Sequence, residues 1–502
     1  MIESAAHGIV TCMNETTTLA KPTFDGTRVQ PSESFALNVE PETKELYQYQ
    51  LAAIETIIEH RRVILGMQPG MGKTAIMQAV AADAAARGEK SLVIVPPTLR
   101  LMWQREFETD YPELAVASVT VGAAGEFPEA DVILMSDSLI GKRFDDIVEW
   151  MPNAVFVDEA HRMKSPDAKR TKALIAACDR MEDAIVVVAT GTLANNHAGD
   201  VYSPLRATGS DNAKAVSYGD KWHNFLDVWC ITEMAWKKRV VVGCEDPEGL
   251  RDKLVTTCMI NIPRDEVLDL PARTFNQVDV MLHADDWAKY AVVQKHFLSW
   301  IEENFGEDAM FRAAKAEAIT KLMRLWEIDG KVKVKATADY VENLTEQGEQ
   351  VVLMAWHSSV MDGLRDELER RNLRVGMVRG GMHANSKDLA VRAFQSGALD
   401  VIIGQVAAAG VGLTLTRSCH IVFAQLPWNP AVFAQATDRI YRIGQERACT
   451  VHLLTFDEGV SQRLWNVLQF KAEIVDAINN GKPTIIDQTS VVNSVLNDYG
   501  WD

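Results

Sequence analysis

Residues 62–88 read RVILGMQPGMGKTAIMQAVAADAAARG, and the order of elements in this stretch decides the fold. Arg62–Leu65 is a short apolar run, residues 66–72 are rich in glycine, and an alanine-rich helical stretch follows, closed by Gly88 at its C-cap. Strand, Gly-rich loop and helix in that order gather backbone N–H groups around one point, where they cradle phosphates. Gly70, Met71 and Gly72 would form the cradle, Lys73 would contact β- and γ-phosphates, and Thr74 would hold Mg²⁺. The implied ligand is ATP with Mg²⁺. Met67 stands where the strict pattern has its first glycine.

The same alternation of short β-branched runs and helical stretches extends outward from Glu45 to about Ala207. Its runs are Arg62–Leu65, Leu92–Val95, Val132–Met135, Val155–Val157 and Ile185–Ala189. Continuous apolar runs bounded by turn signals are the mark of strands buried on both faces, hence of an α/β parallel sheet. The rhythm lapses over residues 208–345, which read as a mainly helical insert and linker with a strand-like Arg239–Val242. It resumes at Val351–Ala355, Arg374–Val378, Asp400–Ile403, His420–Ala424 and Val451–Leu454, predicting a second parallel sheet within residues 346–480. Residues 1–43 read as an extended arm or a small module, 44–207 as the first lobe, and 481–502 as a polar tail.

VFVDEAH (Val155–His161) ends a predicted strand on two carboxylates, at the sheet edge where open α/β folds bind ligands. Asp158 would reach the Mg²⁺ shell and Glu159 would orient an attacking water. A strand followed by acids at a helix N-terminus is the plain alternative, and the upstream GKT weighs against it. His161 then reads as a link between the nucleotide and the other lobe, with a plain surface histidine as the alternative. Thr190 and Thr192 in TGTLANN can report on the acidic pair, or can serve as ordinary turn residues. QATDRIYRIGQ (Gln435–Gln445) places Arg439 and Arg442 three residues apart, so a helix would project both from one face as arginine fingers.

The net charge of −18, from 51 basic and 69 acidic residues, argues against a surface that coats nucleic acid, though not against a local groove. Seven cysteines without a CxxC pair predict buried thiols rather than zinc. No apolar run approaches a membrane span and the first residues lack a signal-peptide layout, so a soluble intracellular chain without membrane contact is expected. Trp222, Trp229 and Trp236 recur every seven residues, which predicts one packed helix face, and Lys237–Lys238–Arg239 reads as a solvated run or a DNA contact.

In this order the motifs resemble superfamily 2 helicases and translocases, and in detail their Swi/Snf-type branch. LYQYQ (Leu46–Gln50) is similar to the adenine-reading segment, with Gln50 as reader. VPPTLRLMWQREF (Val95–Phe107) resembles the segment that tracks one DNA strand, and MSDSL (Met135–Leu139) sits where the next contact is expected. QVAAAGVGLTLT (Gln405–Thr416) resembles motif V, with Gly410 and Gly412 allowing close approach. LPWNPAVFAQATDRIYRIGQ (Leu426–Gln445) is the strongest match, and it brings in Gln435. MINIPRDEVLDLPAR (Met259–Arg273) resembles the element leading into the second lobe, and the segment before it is similar to the HepA-related annealing helicases.

The resemblance implies two tandem RecA-like lobes with ATP–Mg²⁺ between them, and it implies DNA as partner, duplex or forked, gripped mainly at phosphates. Thr98, Arg100, Ser136, Lys164 and Thr416 are the candidate contacts. The leading reading is a monomeric DNA-dependent ATPase that translocates on duplex or branched DNA. A strand-separating DNA or RNA helicase and an ATP-gated DNA-binding module with little turnover are the alternatives. On resemblance, a bacterial cytoplasm or nucleoid, or a viral origin, is expected.

Overall fold

The computed structural model describes residues 23–97, 99–120, 127–191, 193, 198–235, 238–304, 311–406, 413–470 and 495. The expected first-lobe strands form as β1 (Arg62–Leu65), β2 (Ser91–Val95), β4 (Val132–Ser136), β5 (Ala154–Val157) and β6 (Ile185–Ala189). The pattern missed β3 (Val116–Val119), an edge strand with three half-buried residues and no continuous apolar run. The sheet is wholly parallel, ordered β3-β4-β2-β5-β6-β1. Helices on both faces bury its strands, which is why those strands read as unbroken apolar runs.

The span read as a mainly helical insert is not one unit. Within it β7 (Cys230–Ala235) and β8 (Lys238–Cys244) pair as an antiparallel hairpin. Further on, β9 (Met259–Ile260) joins the first sheet beside β1, and β10 (Arg273–Asp279) joins the second sheet beside β15. Two-residue β9 is too short to show a period, and β10 has mostly exposed positions and no buried one. Trp222 and Trp229 open and close one helix and pack against a core that includes Phe225 and Leu254. The chain turns into β7 straight after Trp229, so the expected helix face cannot run on to Trp236, which lies outside the described residues.

The second sheet is also wholly parallel: β10, β11 (Val351–Ala355), β12 (Val375–Val378), β13 (Val401–Gln405), β14 (His420–Phe423) and β15 (Cys449–Thr455), in the order β10-β15-β14-β11-β13-β12. The long amphipathic stretch forms helices Ala284–Asn304, Phe311–Val332 and Val334–Glu346. Lys333, fully buried between the last two, ion-pairs with Asp329 at 2.9 Å and donates to Leu454 O and Ser461 Oγ. Leaving either charge there alone would cost about 3–5 kcal/mol, so this pair pins the helices to β15. Phe24, Val29, Phe35, Leu37 and Val39 lie against the first-lobe core, so residues 23–43 run over that lobe instead of forming a module of their own. Among the described residues no helix is long and apolar enough to cross a membrane.

Candidate active site between the two lobes

The loop after β1 is held from three sides. Gly70 and Gly72 have φ of 83° and 75°, which favours glycine. A Cβ on Gly72 would lie 2.2 Å from Gln50 Nε2, and one on Gly70 would lie 2.8 Å from Arg442 Cβ. Tyr49 Oη and Gln50 Nε2 both donate to Met71 O, at 3.0 and 3.3 Å, while Tyr47 N–H donates to Gln50 Oε1. Lys73 opens helix Lys73–Ala86 and folds back to donate to Met67 O and Gln68 O at 2.9 and 3.1 Å. Burial pulls its pKa down, opposed chiefly by Glu159 and Asp158. A half-buried ammonium resting on two loop carbonyls is a group that an anionic ligand would draw away.

Asp158 follows β5 and accepts from the indole Nε1 of Trp103 at 3.1 Å and from Glu159 N–H at 2.8 Å. Glu159 takes a left-handed backbone, φ 51°, a strain of order 1–3 kcal/mol of the kind that gathers at functional sites. His161 Nδ1 lies 3.2 Å from Glu159 Oε2. Burial, then the charge of Glu159, pushes the Asp158 carboxyl up to about 6. Burial acts the same way on Glu159, yet its contact with His161 and the charges of His161, Lys73 and Arg439 bring it below the usual range. Two crowded carboxylates with Thr74 on the same wall suit a divalent cation. Thr190 N–H donates to Leu65 O at 3.2 Å, and a Cβ on Gly191 would meet Pro69 Cγ at 2.7 Å, so this turn abuts the loop.

The second lobe supplies the opposite wall, although the expected helix is corrected. Helix Pro430–Thr437 stops before the arginines, and Arg439 and Arg442 stand in a turn running to Gly444 (φ 90°). Gln445 shapes that turn: its Nε2 donates to Thr416 O, Ser418 O and Ile440 O, and its Oε1 accepts from Arg447 N–H. The two guanidiniums still reach one place. A cavity of about 310 Å³ is lined by Gln50, Gly70, Gly72, Lys73, Thr74, Asp158 and Glu159 from one lobe and by Thr414, Gln435, Arg439, Arg442 and Ile443 from the other. That volume is at the lower end for small-molecule sites, ~300–1,000 Å³. Burial, then Arg442, draws Arg439 down to about 10, and burial also lowers Arg442. Arg439 stays charged near neutrality.

The sequence reading missed Trp103 and Glu106 here. Trp103, within the Val95–Phe107 segment, is fully buried on Asp158, while Glu106 lines the cavity facing Arg442. Of the candidate DNA contacts, Arg100 and Ser136 line one shallow depression with Thr120 and Ser138. Lys164 lies 3.4 Å from Asp200, and Thr416 lines a separate depression with Arg417 and Arg447. Arg239 pairs with Asp227 at 2.5 Å. Thr98, Thr192, Lys237, Gly410 and Gly412 lie outside the described residues. Glu349, Cys419 and His420 cluster on the second lobe, but both Glu349 oxygens are taken by Arg447 at 2.5 Å.

Residues 47–201 match the family model for DEAD/DEAH box helicases, and residues 332–444 match that for the helicase conserved C-terminal domain. Among curated relatives, the SWI/SNF-related matrix-associated actin-dependent regulator of chromatin subfamily A-like protein 1 of Xenopus tropicalis is 26% identical over 424 residues, 82% of this chain and 43% of the relative. The DNA annealing helicase and endonuclease ZRANB3 of Bos taurus is 25% identical over 436 residues, 84% of this chain and 39% of the relative. The chain thus spans about two-fifths of the length of these relatives. A solved SWI2/SNF2 ATPase core of Sulfolobus solfataricus in complex with dsDNA overlaps 92% of this chain and 96% of that chain, at 20% identity and a TM-score of 0.40. An overlap that loose says nothing about function. By the two family models the chain carries the paired domains of the DEAD/DEAH box helicases, and the curated relatives it resembles are SWI/SNF-related proteins and a DNA annealing helicase.

Proposed function

We propose that the chain is a DNA-dependent ATPase that translocates on double-stranded or branched DNA. The observation that carries this reading is the single cavity with Lys73, Asp158 and Glu159 on one wall and Arg439 and Arg442 on the other. The cavity residues fit ATP–Mg²⁺, which would supply the phosphoanhydride bond whose hydrolysis drives the cycle. The Gly-rich loop of the Walker A type, Gly70–Thr74, would hold the phosphates, with Thr74 and Asp158 holding the metal. Glu159, of the DEAH sequence, would orient water, and the arginines would offset charge that develops on transfer. Because those groups come from two lobes, the site is complete only when the lobes are together.

DNA as partner is supported by the names of the relatives, an annealing helicase among them, and this favours forked or branched duplex. Arg100, Ser136, Lys164 and Thr416, on both lobes, remain the proposed contacts. We place the first lobe at about residues 44–262 and the second from residue 273 onward, since β9 and β10 belong to different sheets. The experiment is the rate of ATP hydrolysis with single-stranded, duplex and forked DNA and with RNA, side by side. Duplex or forked DNA is expected to stimulate most, with the effect falling as salt rises. Strongest stimulation by RNA would contradict the reading.

A further inference from the structure

Asp438 immediately precedes Arg439, yet it does not line the cavity. Its Oδ1 accepts from Arg264 Nη1 at 3.2 Å and from Arg273 Nη1 at 3.1 Å. The two guanidiniums also lie over the ring of Tyr441, at 4.9 and 4.6 Å from its centroid. Arg264 and Asp438 are only 3% and 6% exposed, so this is a desolvated cluster, unlike a surface ion pair. Its second positive charge is offset by the face of the aromatic ring.

The two cations come from different lobes. Arg264 follows β9 by way of Ile262, which is buried in the first sheet's core, and Val267 and Leu268 pack on that same core. Arg273 opens β10 and pairs in register with Cys449 of the second sheet. The carboxylate next to Arg439 is therefore held from both lobes at once. The arginine turn lacks a continuous helical hydrogen-bond ladder that would fix its direction. Its tolerance is small as well, because Arg442 Cβ would come within 2.8 Å of any Cβ placed on Gly70.

We infer that Arg264 and Arg273, acting through Asp438, are positioning residues that register the arginine turn against the first lobe. Arg264 is the member that ties this turn to the lobe carrying Lys73 and Glu159. Its loss leaves Asp438 still paired with Arg273, so the fold is retained while the placement of Arg439 and Arg442 is loosened. This inference rests on the proposed ATPase for its kinetic consequence, and on the geometry alone for its structural one.

The test compares the whole chain with Arg264→Ala, Arg264→Lys, Asp438→Ala and the double variant Arg264→Ala/Asp438→Ala. In nucleotide-free protein, amide hydrogen exchange over Asp438–Gln445 is expected to quicken by about tenfold in Arg264→Ala, with Arg62–Leu65 unchanged. With duplex DNA, kcat is expected to fall by about 10- to 100-fold while the KM for ATP stays within about threefold. Arg264→Lys should be intermediate, and the double variant no slower than the worse single one. If the alanine variant fails to fold, the lysine variant carries both readouts. Unchanged exchange over Asp438–Gln445, multiplying losses, or a raised KM at unchanged kcat would overturn the inference. A wild-type chain inert toward ATP with every nucleic acid would overturn the proposed function and leave the exchange result to decide the clasp.

Discussion

The two walls of the cavity are built in different ways. On the first lobe each key residue sits at the end of a regular element: Lys73 at the start of a helix, Asp158 just after β5 and Thr190 just after β6. Parallel strands and a helix N-terminus fix those positions through the backbone, so the side chains start from a rigid frame. On the second lobe Arg439 and Arg442 stand on a turn, and side chains fix it: Gln445 from within, Asp438 with its two arginines from outside. The lesson is that the phosphate-binding half is set by topology and the arginine half by polar contacts. The second half is then the easier one to loosen without unfolding the chain.

The largest expected effects would come from the walls themselves. Glu159→Gln and Arg439→Ala should each reduce ATP turnover on the order of 10³-fold or more with nucleotide still bound, whereas Lys73→Ala should also lose nucleotide binding. Binding retained in Lys73→Ala would break the distinction, because the loop would then hold phosphate without its lysine. A smaller loss, about tenfold in kcat, is expected for Gln445→Ala, measured with saturating DNA. That change also removes the amide that serves three carbonyls, those of Ser418 and Ile440 in buried hydrogen bonds, at a cost of about 1–3 kcal/mol in denaturant unfolding. An equal kinetic loss in a variant on the first-lobe frame that keeps the cavity residues would erase the contrast between the walls.

Trp103→Phe removes one neutral donor from Asp158 and keeps the packing, so kcat should fall only a few-fold, with a raised Mg²⁺ requirement as the second readout. The smallest effect on the site would come from His452, which does not line the cavity. Burial, then the neighbouring His420, lowers its pKa from 6.5 to about 4. The unfolded chain therefore takes up this proton first, and the stability due to neutral His452 is complete above about pH 6.5 and lost as pH falls toward 4. His452→Gln should flatten that slope in chemical unfolding between pH 4 and 7. An unchanged slope would show that other groups set it.

Much of the first wall was legible because its signals are local. GKT after a strand, and two acids at the end of another, specify backbone geometry within a few residues. The second wall was legible only in part. Arg439 and Arg442 line the cavity together, but the helix assumed for their spacing ends at Thr437. What replaces it is long-range: Gln445 reaches Thr416 O, and Asp438 reaches Arg264 across 174 residues. No periodicity encodes such contacts. The indole of Trp103, 55 residues from Asp158, likewise gives no local sign of where its N–H points. β9 and β10 went unseen because one spans two residues and the other is largely exposed.

The central claim is that one catalytic site is completed by residues from both lobes. Its most direct test is Arg442→Ala at saturating duplex DNA, with nucleotide affinity and single-turnover ATP hydrolysis measured on the same preparation. The expected result is affinity within about threefold of wild type and hydrolysis slower on the order of 10³-fold. Hydrolysis at the wild-type rate would contradict a site shared between the lobes.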